Sequence, residues 1–383
     1  MAVSLASFAH AQATPAPATD AAAPAAAQAP APAAAPAAPA AAPTWSVGPM
    51  DLSGFIDGYY SYNQNRPSNS ANGQVNDLYN FNDKTDQFNL SAAKLTLNHD
   101  PDPVGAHIDL FYGRTNTLVN GGGDTNYIEQ AFLSFKPVKA KGFEADFGKF
   151  VTSAGAEVIE SKDNWNYSRS ILFSYAIPYY HFGLRTSMPT SKSETIGVQL
   201  VNGWNDVTKT NGGVTAVFTS ALVKTKYTWN ANVITGPENA NTQAGYRNLI
   251  DTTLLLTPNA KFNAYINYDY GQNRFNTTAP GVANLNHWQG IAAAGREQLK
   301  GNNAFAARYE YFNDPEGYTT GTAQVVQEGT ATYEYKWAEG LLARLEYRHD
   351  WSNNPFFHKG NTGIVKAQST LTAGFVAFFG PKR

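Results

Sequence analysis

The sequence predicts an all-β protein, a transmembrane antiparallel up-and-down β-barrel of about 16 strands (range about 14–18) with short periplasmic turns and long extracellular loops. Three observations support this. Apolar residues recur at every second position from Met50 onward, the connections alternate in length, and aromatic residues concentrate near strand ends. Alternation alone also suits a soluble sandwich or propeller, but no blade motif of about 40–50 residues recurs.

Composition excludes several classes of protein. The 383 residues include 28 Lys+Arg, 30 Asp+Glu and no Cys. Without Cys there is no disulfide scaffold, no thiolate metal site and no Cys nucleophile. The balanced charge gives no general attraction to nucleic acid. The longest apolar stretch is rich in Pro and does not suit a spanning helix. The mean hydropathy of −0.37 fits a barrel, because half of each strand faces water.

The N-terminus precedes the barrel and has two parts. Residues 1–11 form a short apolar run ending in the small-x-small pattern of a secretory cleavage site, which predicts a signal-peptide remnant; an arbitrary Ala-rich leader is the alternative. Residues 12–43 contain 19 Ala and 8 Pro, and Pro interrupts helices, so this segment predicts a disordered tether. The tether is either a plain linker or a contact with the cell wall. The barrel is predicted at residues 50–383.

Alternation is clearest in four stretches, each with aromatic or aliphatic residues on one face and polar residues on the other: residues 143–148, 261–270, 304–312 and 341–350. In the last stretch, Leu345 and Tyr347 oppose Arg344, Glu346 and Arg348. This is the period of strands with one face toward lipid and one toward the lumen.

The connections between strands supply the topology. Sixteen strands are predicted at residues 51–63, 87–99, 104–114, 126–136, 143–151, 174–188, 195–203, 213–221, 224–235, 247–257, 260–271, 287–298, 304–313, 323–336, 341–351 and 364–379. Short links contain turn formers at 100–103, 189–192, 257–259 and 300–303. Long polar links lie at 64–86, 152–173, 236–246, 272–286 and 352–363. We expect the short links in the periplasm and the long ones outside.

Aromatic residues predict two girdles at the membrane–water interfaces. At the long-loop ends of strands lie Tyr60, Tyr62, Tyr268, Tyr270, Tyr309 and Tyr311. At the short-turn ends lie Phe135, Tyr333, Tyr335, Trp337 and Phe379.

Several stretches resemble one known family, the β-barrel porin-2 or OmpL-like family. They are LSGFIDGYY (52–60), GKFVTSAGAEVIESKDNWNYSRSILFSYAIPYYHFGLR (148–185), VQLVNGWNDV (198–207), RLEYRHDWSNNPFF (344–357) and KAQSTLTAGFVAFFG (366–380). The resemblance spans roughly residues 50–380, and residues 148–185 are its most specific part. It implies an outer-membrane barrel that passes small solutes. Outer-membrane barrels usually end in an aromatic residue, whereas here residues 380–383 follow Phe379.

Motifs for catalysis, cofactors and metals are missing from the sequence. It has no G-x-S-x-G elbow, no H-E-x-x-H pair and no phosphate-binding loop. The seven His residues have no ligand-like spacing. His349 and Asp350 are adjacent, and neighbours in a strand point to opposite faces. We therefore predict no enzyme, no cofactor and no metal site.

Polar residues on the inner face predict the function. A barrel of about 16 strands has room for an aqueous channel, and inward charges require a wet lumen or a partner. The predicted function is passive diffusion of small hydrophilic solutes and ions across the bacterial outer membrane. Predicted partners are outer-membrane lipid and lipopolysaccharide, and the sequence leaves a homo-oligomer open. The alternative is a plugged structural or interaction barrel with surface loops and a periplasmic tether.

The third long link, residues 152–173, predicts the pore constriction. Ser153 is a suitable cap for a helix over residues 154–160, which would place Glu157 and Glu160 on one face. Ile171, Leu172 and Phe173 would anchor the link to a wall. The two glutamates would then lie opposite the basic side chains of the inner wall. The candidate residues for the constriction and its selectivity are Glu157, Glu160, Arg308, Arg344, Arg348, Glu310 and Glu346. The alternative is an outer loop whose charges meet solvent or lipopolysaccharide.

Overall fold

The computed structural model describes residues 46–68, 74–120, 125–275, 284–338 and 340–380. Sixteen antiparallel strands form the barrel: β1 (Met50–Asn63), β2 (Gln87–His99), β3 (Val104–Tyr112), β4 (Ile128–Phe135), β5 (Glu144–Val151), β6 (Tyr180–Ser191), β7 (Glu194–Val201), β8 (Thr215–Val223), β9 (Tyr227–Gly236), β10 (Arg247–Leu256), β11 (Phe262–Arg274), β12 (Leu285–Gln298), β13 (Asn303–Asp314), β14 (Gln324–Ala338), β15 (Leu341–Ser352) and β16 (Ala367–Phe379). Each strand pairs with its sequence neighbour, and β16 pairs with β1, so the sheet closes.

The predicted alternation sets which face of each strand points inward. On β15, Leu345 is 51% exposed on the outside, while Arg344 and Glu346 are buried inside. On β11, Ile266 is 43% exposed, and Asn267 beside it is buried. A period of two places successive side chains on opposite faces, so one face of every strand meets the membrane. His349 and Asp350 follow this rule, because His349 contacts Ser369 and Asp350 contacts Arg348.

Small elements lie in the connections. The described part of the chain has two short helices, α1 (Arg114–Asn120) and α2 (Ile171–Tyr175), and a 3-10 turn at Ser161–Asp163. Ser46–Val47 pairs with the start of β1, and Phe357–Lys359 pairs with Gly363–Val365 in a small hairpin. Within the described ranges, no helix has the length and apolar character needed to cross a membrane.

The strand predictions are confirmed in number and agree within a few residues at most ends. The largest difference is at the predicted strand 174–188. The structure begins this strand, β6, at Tyr180, because residues 171–175 form α2 with Ser170 as its N-cap. The predicted leader, residues 1–11, and tether, residues 12–43, lie outside the described residues.

The apolar core lies inside the barrel, between the strands and the loops that fold into it. It joins inward residues of the strands to residues of the loops 74–86 and 152–179. Phe81 of the first loop lies 5.5 Å from Phe173 of the second, measured between ring centroids. Asn80 donates to the backbone oxygen of Ser174 at 2.9 Å. The two loops therefore pack on each other within the bore.

Candidate functional site

Residues 152–179, which we call the inward segment, leave the wall between β5 and β6 and fold into the lumen. Their two ends stay together, since Val151 pairs with Tyr180 and the Thr152 N–H donates to the Tyr179 oxygen at 3.0 Å. Between these ends the segment contacts inward side chains of β1, β2, β10, β11, β13 and β15. The predicted inward fold of residues 152–173 agrees with this structure.

The predicted helix at residues 154–160 is wrong. These residues are extended or bent, and Gly155 has a positive φ of 94°. The reason is that the wall competes for their N–H groups: Gly155 donates to Asp251 at 3.1 Å and Ala156 to Asn267 at 3.2 Å. In a helix that starts after Ser153, these N–H groups would lie in the first turn, where the Ser153 side chain is their acceptor. The segment instead has its helical cap at Ser170, which accepts from the Phe173 N–H.

Glu157 joins the inward segment to the Arg308 wall as predicted. Its carboxylate accepts from Arg308 Nη1 at 2.6 Å and from the Ser170 N–H at 2.6 Å. Arg308 also donates from Nε to Glu328 at 2.7 Å, and from Nη1 to the Ser168 oxygen at 2.8 Å. Both charges of the pair are buried. Arg308 thus contacts carboxylates of the wall and of the segment at once.

Glu160 does not face the predicted arginines. Without a helix, Glu157 and Glu160 point to different walls, and Glu160 binds the Lys94 ammonium on β2. The same ammonium lies 2.9 Å from Asp109 on β3 and 2.8 Å from Glu129 on β4. Three carboxylates therefore converge on one lysine, on a wall far in sequence from Arg308.

Glu310 and Glu346 hold the segment through its backbone. Glu310 accepts from the N–H groups of Ile171 and Leu172, at 2.9 and 3.0 Å, at the start of α2. Glu346 accepts from the N–H groups of Tyr167 and Ser168, at 2.5 and 2.9 Å. Hydrogen bonds to a charged acceptor are stronger than those between neutral groups. These two glutamates are contacts of the segment, and no solvent reaches them.

Arg344 and Arg348 bind backbone oxygens of the segment. Arg344 donates to the oxygens of Ser161 and Asn164, the second at 2.5 Å, and also to Glu334. Arg348 donates to the Arg169 oxygen at 2.7 Å. The carbonyl groups of Ser161, Asn164 and Arg169 therefore face basic side chains. The N–H groups of Tyr167 and Ser168 face a carboxylate.

The predicted apolar anchor is present. Ile171, Leu172 and Phe173 are buried, and α2 packs against β12 and β13. A Cβ atom on Gly290 of β12 would lie 2.4 Å from a Leu172 methyl group, so only glycine leaves room for that side chain. Trp288 on the same strand donates from its indole nitrogen to the Ala176 oxygen at 2.9 Å.

Several contact residues were missed by the sequence reasoning. Asp57 on β1 accepts from Ser161 at 2.6 Å and from the Tyr167 hydroxyl at 2.7 Å. Lys94 and Asp251 bind the segment as described above. All three lie at inward positions of predicted strands. Alternation therefore predicts that these side chains point inward. It does not predict which of the inward charged residues contacts the segment.

Asp206, in the loop between β7 and β8, is one of the acids outside the strands whose pKa is perturbed. Asp206 lies near Glu238, since a Cβ on Gly203 would fall within 3.0 Å of oxygens of both. Burial, and then the negative charge of Glu238, raise the pKa of Asp206 to about 6. Each effect disfavours the charged carboxylate.

Comparisons with known proteins agree with this architecture. Residues 49–379 match the family described as "Putative beta-barrel porin-2, OmpL-like". No curated protein matches the sequence significantly.

Solved outer-membrane barrels are similar in fold. The trimer form of in-vitro folded OmpT of Vibrio cholerae has a TM-score of 0.54 and 13% identity, with 86% of this chain and 99% of that chain covered. The outer-membrane channel DcaP of Acinetobacter baumannii has a TM-score of 0.55 and 14% identity, with 88% of this chain and 99% of that chain covered. An anion-selective porin from Comamonas acidovorans has a TM-score of 0.54 and 10% identity, with 86% of this chain and 99% of that chain covered. At these identities, the likeness shows the fold alone. The family match covers most of the chain, and the chain therefore belongs to the β-barrel porin-2, OmpL-like family of outer-membrane porins.

Proposed function

We propose that the barrel passes ions and small hydrophilic solutes by passive diffusion, and that the inward segment forms its constriction. The observation that carries the proposal is the position of the segment. It crosses the lumen, with Glu157 and Glu160 bound to charged groups of two different walls. Fixed charges at the narrowest part of a pore set ion preference.

Ion selectivity tests this assignment. We expect Glu157→Gln and Glu160→Gln to shift the reversal potential in a salt gradient toward anions, because each removes a negative charge. Arg308→Gln and Arg344→Gln should shift it toward cations. Both shifts should shrink at high salt, where charges are screened.

The double variant Glu157→Gln/Arg308→Gln is the matched control, since it removes both charges of one ion pair. Its reversal potential should lie close to that of the wild type. Unchanged selectivity and conductance in all single variants would contradict the assignment of the constriction.

The alternative, a plugged barrel that serves in structure or interaction, is not favoured by the family to which the chain belongs. The charged side chains at the depth of the segment, among them Arg308 and Glu310, are buried by their neighbours. Single-channel recordings in planar bilayers separate the two. Conductance steps support the pore, and silence of correctly folded protein supports the plugged barrel.

We propose no catalytic role. The inward carboxylates Glu310 and Glu346 are bound to backbone N–H groups of the inward segment. Within the described part of the chain, no group of three or more His, Asp or Glu residues is arranged to hold a metal ion. A protease or esterase assay on the purified barrel tests this.

Oligomeric state and lipid contacts are also proposals. A solved barrel of similar fold is described as a trimer form, and that statement concerns the other protein. For this chain we propose that the outward apolar face contacts lipid and lipopolysaccharide and permits a homo-oligomer. Light scattering in detergent, with and without added lipopolysaccharide, measures the mass of the assembly.

A further inference from the structure

Two aspartates on the lumen wall have a contact that the constriction does not explain. Asp251 on β10 is the direct cross-strand partner of Asp269 on β11, and both side chains are fully buried. As cross-strand partners they point to the same face, so their carboxyl groups lie side by side. Two ionised carboxylates that share one buried site repel each other strongly, so one of the two holds a proton.

The hydrogen-bond donors around the pair are distributed unevenly. Asp251 accepts from Asn232 at 2.7 Å, from Asn267 at 2.9 Å and from the Gly155 N–H of the inward segment at 3.1 Å. Among the described residues, neither buried oxygen of Asp269 has a hydrogen-bond partner of good geometry. Because N–H donors stabilise the charged form of a carboxyl group, the negative charge belongs on Asp251 and the proton on Asp269.

Among the described residues, neither carboxyl group of the pair has a cation as its partner. The side chains nearest to it on β9 and β11 are the neutral amides of Asn232 and Asn267, and Gly290 of β12 lies opposite Asp269. Two groups of titratable or charged side chains face the pair. One is Glu310 of β13, whose charge, when present, repels a charge on Asp269, and the other is the buried ion pair of Arg308 with Glu157 of the inward segment. Arg308 is already bound by Glu157 and Glu328. Fully ionised, Asp251 and Asp269 would place two adjacent negative charges in a buried wall, and neither carboxylate would be bound by one of the described cations.

We propose that Asp251 and Asp269 form a proton-binding site in the lumen wall. Asp269 carries the proton, and its O–H group donates a hydrogen bond to the Asp251 carboxylate. When the proton leaves as pH rises, the pair changes from one negative charge to two. Gly155 ties this wall to the inward segment, so the added charge appears next to the constriction. A negative charge in the wall of a pore raises the local concentration of cations. The lumen therefore becomes more selective for cations as pH rises. This consequence for selectivity rests on the proposed passage of ions through the barrel.

The first test is the reversal potential of single channels in a potassium chloride gradient, measured from acid to alkaline pH. The wild type should shift toward cations with rising pH. In Asp269→Asn the amide keeps an N–H donor toward Asp251 but cannot ionise. The pH-dependent shift of the reversal potential should therefore vanish, and the reversal potential should stay at the value of the wild type at acid pH. The control Glu144→Gln, at the rim of the barrel beside Lys136, should keep the wild-type response. A wild-type response in Asp269→Asn would overturn the proposal.

The second test does not depend on conduction. The infrared spectrum of the folded protein should contain the C=O stretch of a protonated carboxylic acid, and Asp269→Asn should lose it. If the channel is silent but this band is present and Asp269-dependent, the proton site stands and the proposed function fails. If the wild type lacks the band and retains a metal ion that Asp269→Asn releases, the pair binds a metal ion and the proposal is wrong.

Discussion

Single carboxylates on the lumen wall serve in this protein as acceptors for the backbone of the inward segment. Glu346 illustrates the role, because it accepts from the N–H groups of Tyr167 and Ser168 and from the Thr332 hydroxyl. The sequence predicted that Glu346 points inward, and the structure agrees. Its partner was not predictable, because alternation along a strand carries no information about a loop that arrives from across the bore.

The Glu346→Gln variant should loosen the inward segment locally. A neutral amide accepts more weakly than a carboxylate, and hydrogen bonds to charged groups contribute about 1.5–3 kcal/mol. We expect the amides of Tyr167 and Ser168 to exchange with solvent markedly faster, as measured by hydrogen–deuterium exchange. Glu144→Gln, which touches no residue of the segment among its known contacts, is the control and should leave both amides protected. Equal protection in Glu346→Gln would show that the apolar contacts alone hold the segment.

At the scale of elements, strands and loops differ in how far sequence decides their structure. A strand of the barrel is set by local alternation and by pairing with its neighbour, so all sixteen were predicted. The inward segment has no such period. Its conformation follows from acceptors on the wall, such as Asp251 and Asn267, that take the N–H groups of Gly155 and Ala156. This is why the helix expected from Ser153 does not form.

The lipid face of β15 gives a depth-dependent prediction. Leu345 lies outward in the middle of the strand, and Leu341 lies outward at its short-turn end. Arg at the centre of a membrane strand costs about 2–4 kcal/mol, and near the interface about 0–1 kcal/mol. We therefore expect Leu345→Arg to lower the free energy of unfolding, and Leu341→Arg to change it little. Denaturant unfolding in lipid vesicles, followed by tryptophan fluorescence, measures both. A larger loss for Leu341→Arg would mean that the membrane lies elsewhere on the barrel.

The loops around Asp206 should respond to pH. The pKa of Asp206 is raised to about 6, above its usual value of about 4, so the folded loop binds a proton more tightly than the unfolded one. Stability from this group is therefore complete below about pH 4 and is lost as pH rises through about 6. We expect proteolysis between residues 202 and 214 to be faster at neutral than at acid pH, measured as the rate relative to an unstructured peptide. In Asp206→Asn that difference should disappear; its persistence would assign the pH response to another group.

For the whole molecule, the tether can be tested apart from the barrel. The strands close through β16 and β1 without residues 12–43. A segment of Ala and Pro has little apolar surface to bury, so it adds little to folding. Deleting residues 13–43 behind a working signal peptide should leave the folded barrel and its conductance unchanged. Heat-modified mobility of outer-membrane fractions measures folding, and failure to insert would reveal a role in assembly.

The topology is likewise a property of the whole barrel. The alternation of short turns and long loops predicts residues 64–86 outside the cell and residues 257–260 in the periplasm. A cysteine introduced at Asn65 should react with an impermeant reagent on intact cells, whereas one at Asn259 should react only after the outer membrane is opened. The native chain has no Cys, so each signal reports one position. Labelling of Asn259→Cys alone on intact cells would reverse the orientation.

Removal of the inward segment decides whether it limits passage through the barrel. The ends of the segment are adjacent, because Val151 pairs with Tyr180 and Thr152 donates to Tyr179. A short Gly-Ser turn in place of residues 153–178 can therefore join β5 to β6 without disturbing their pairing. The sixteen strands keep their ladder, while Arg308, Glu310 and Glu346 lose the partners that bury them and face water instead. A barrel of about 16 strands without a filling segment has an aqueous channel. We expect a several-fold rise in single-channel conductance in planar bilayers. The selectivity effect of Arg308→Gln should also be reduced in this background, because a wider bore places more water between the wall and the ion. Equal conductance of the shortened and native barrels would place the narrowest part of the pore elsewhere.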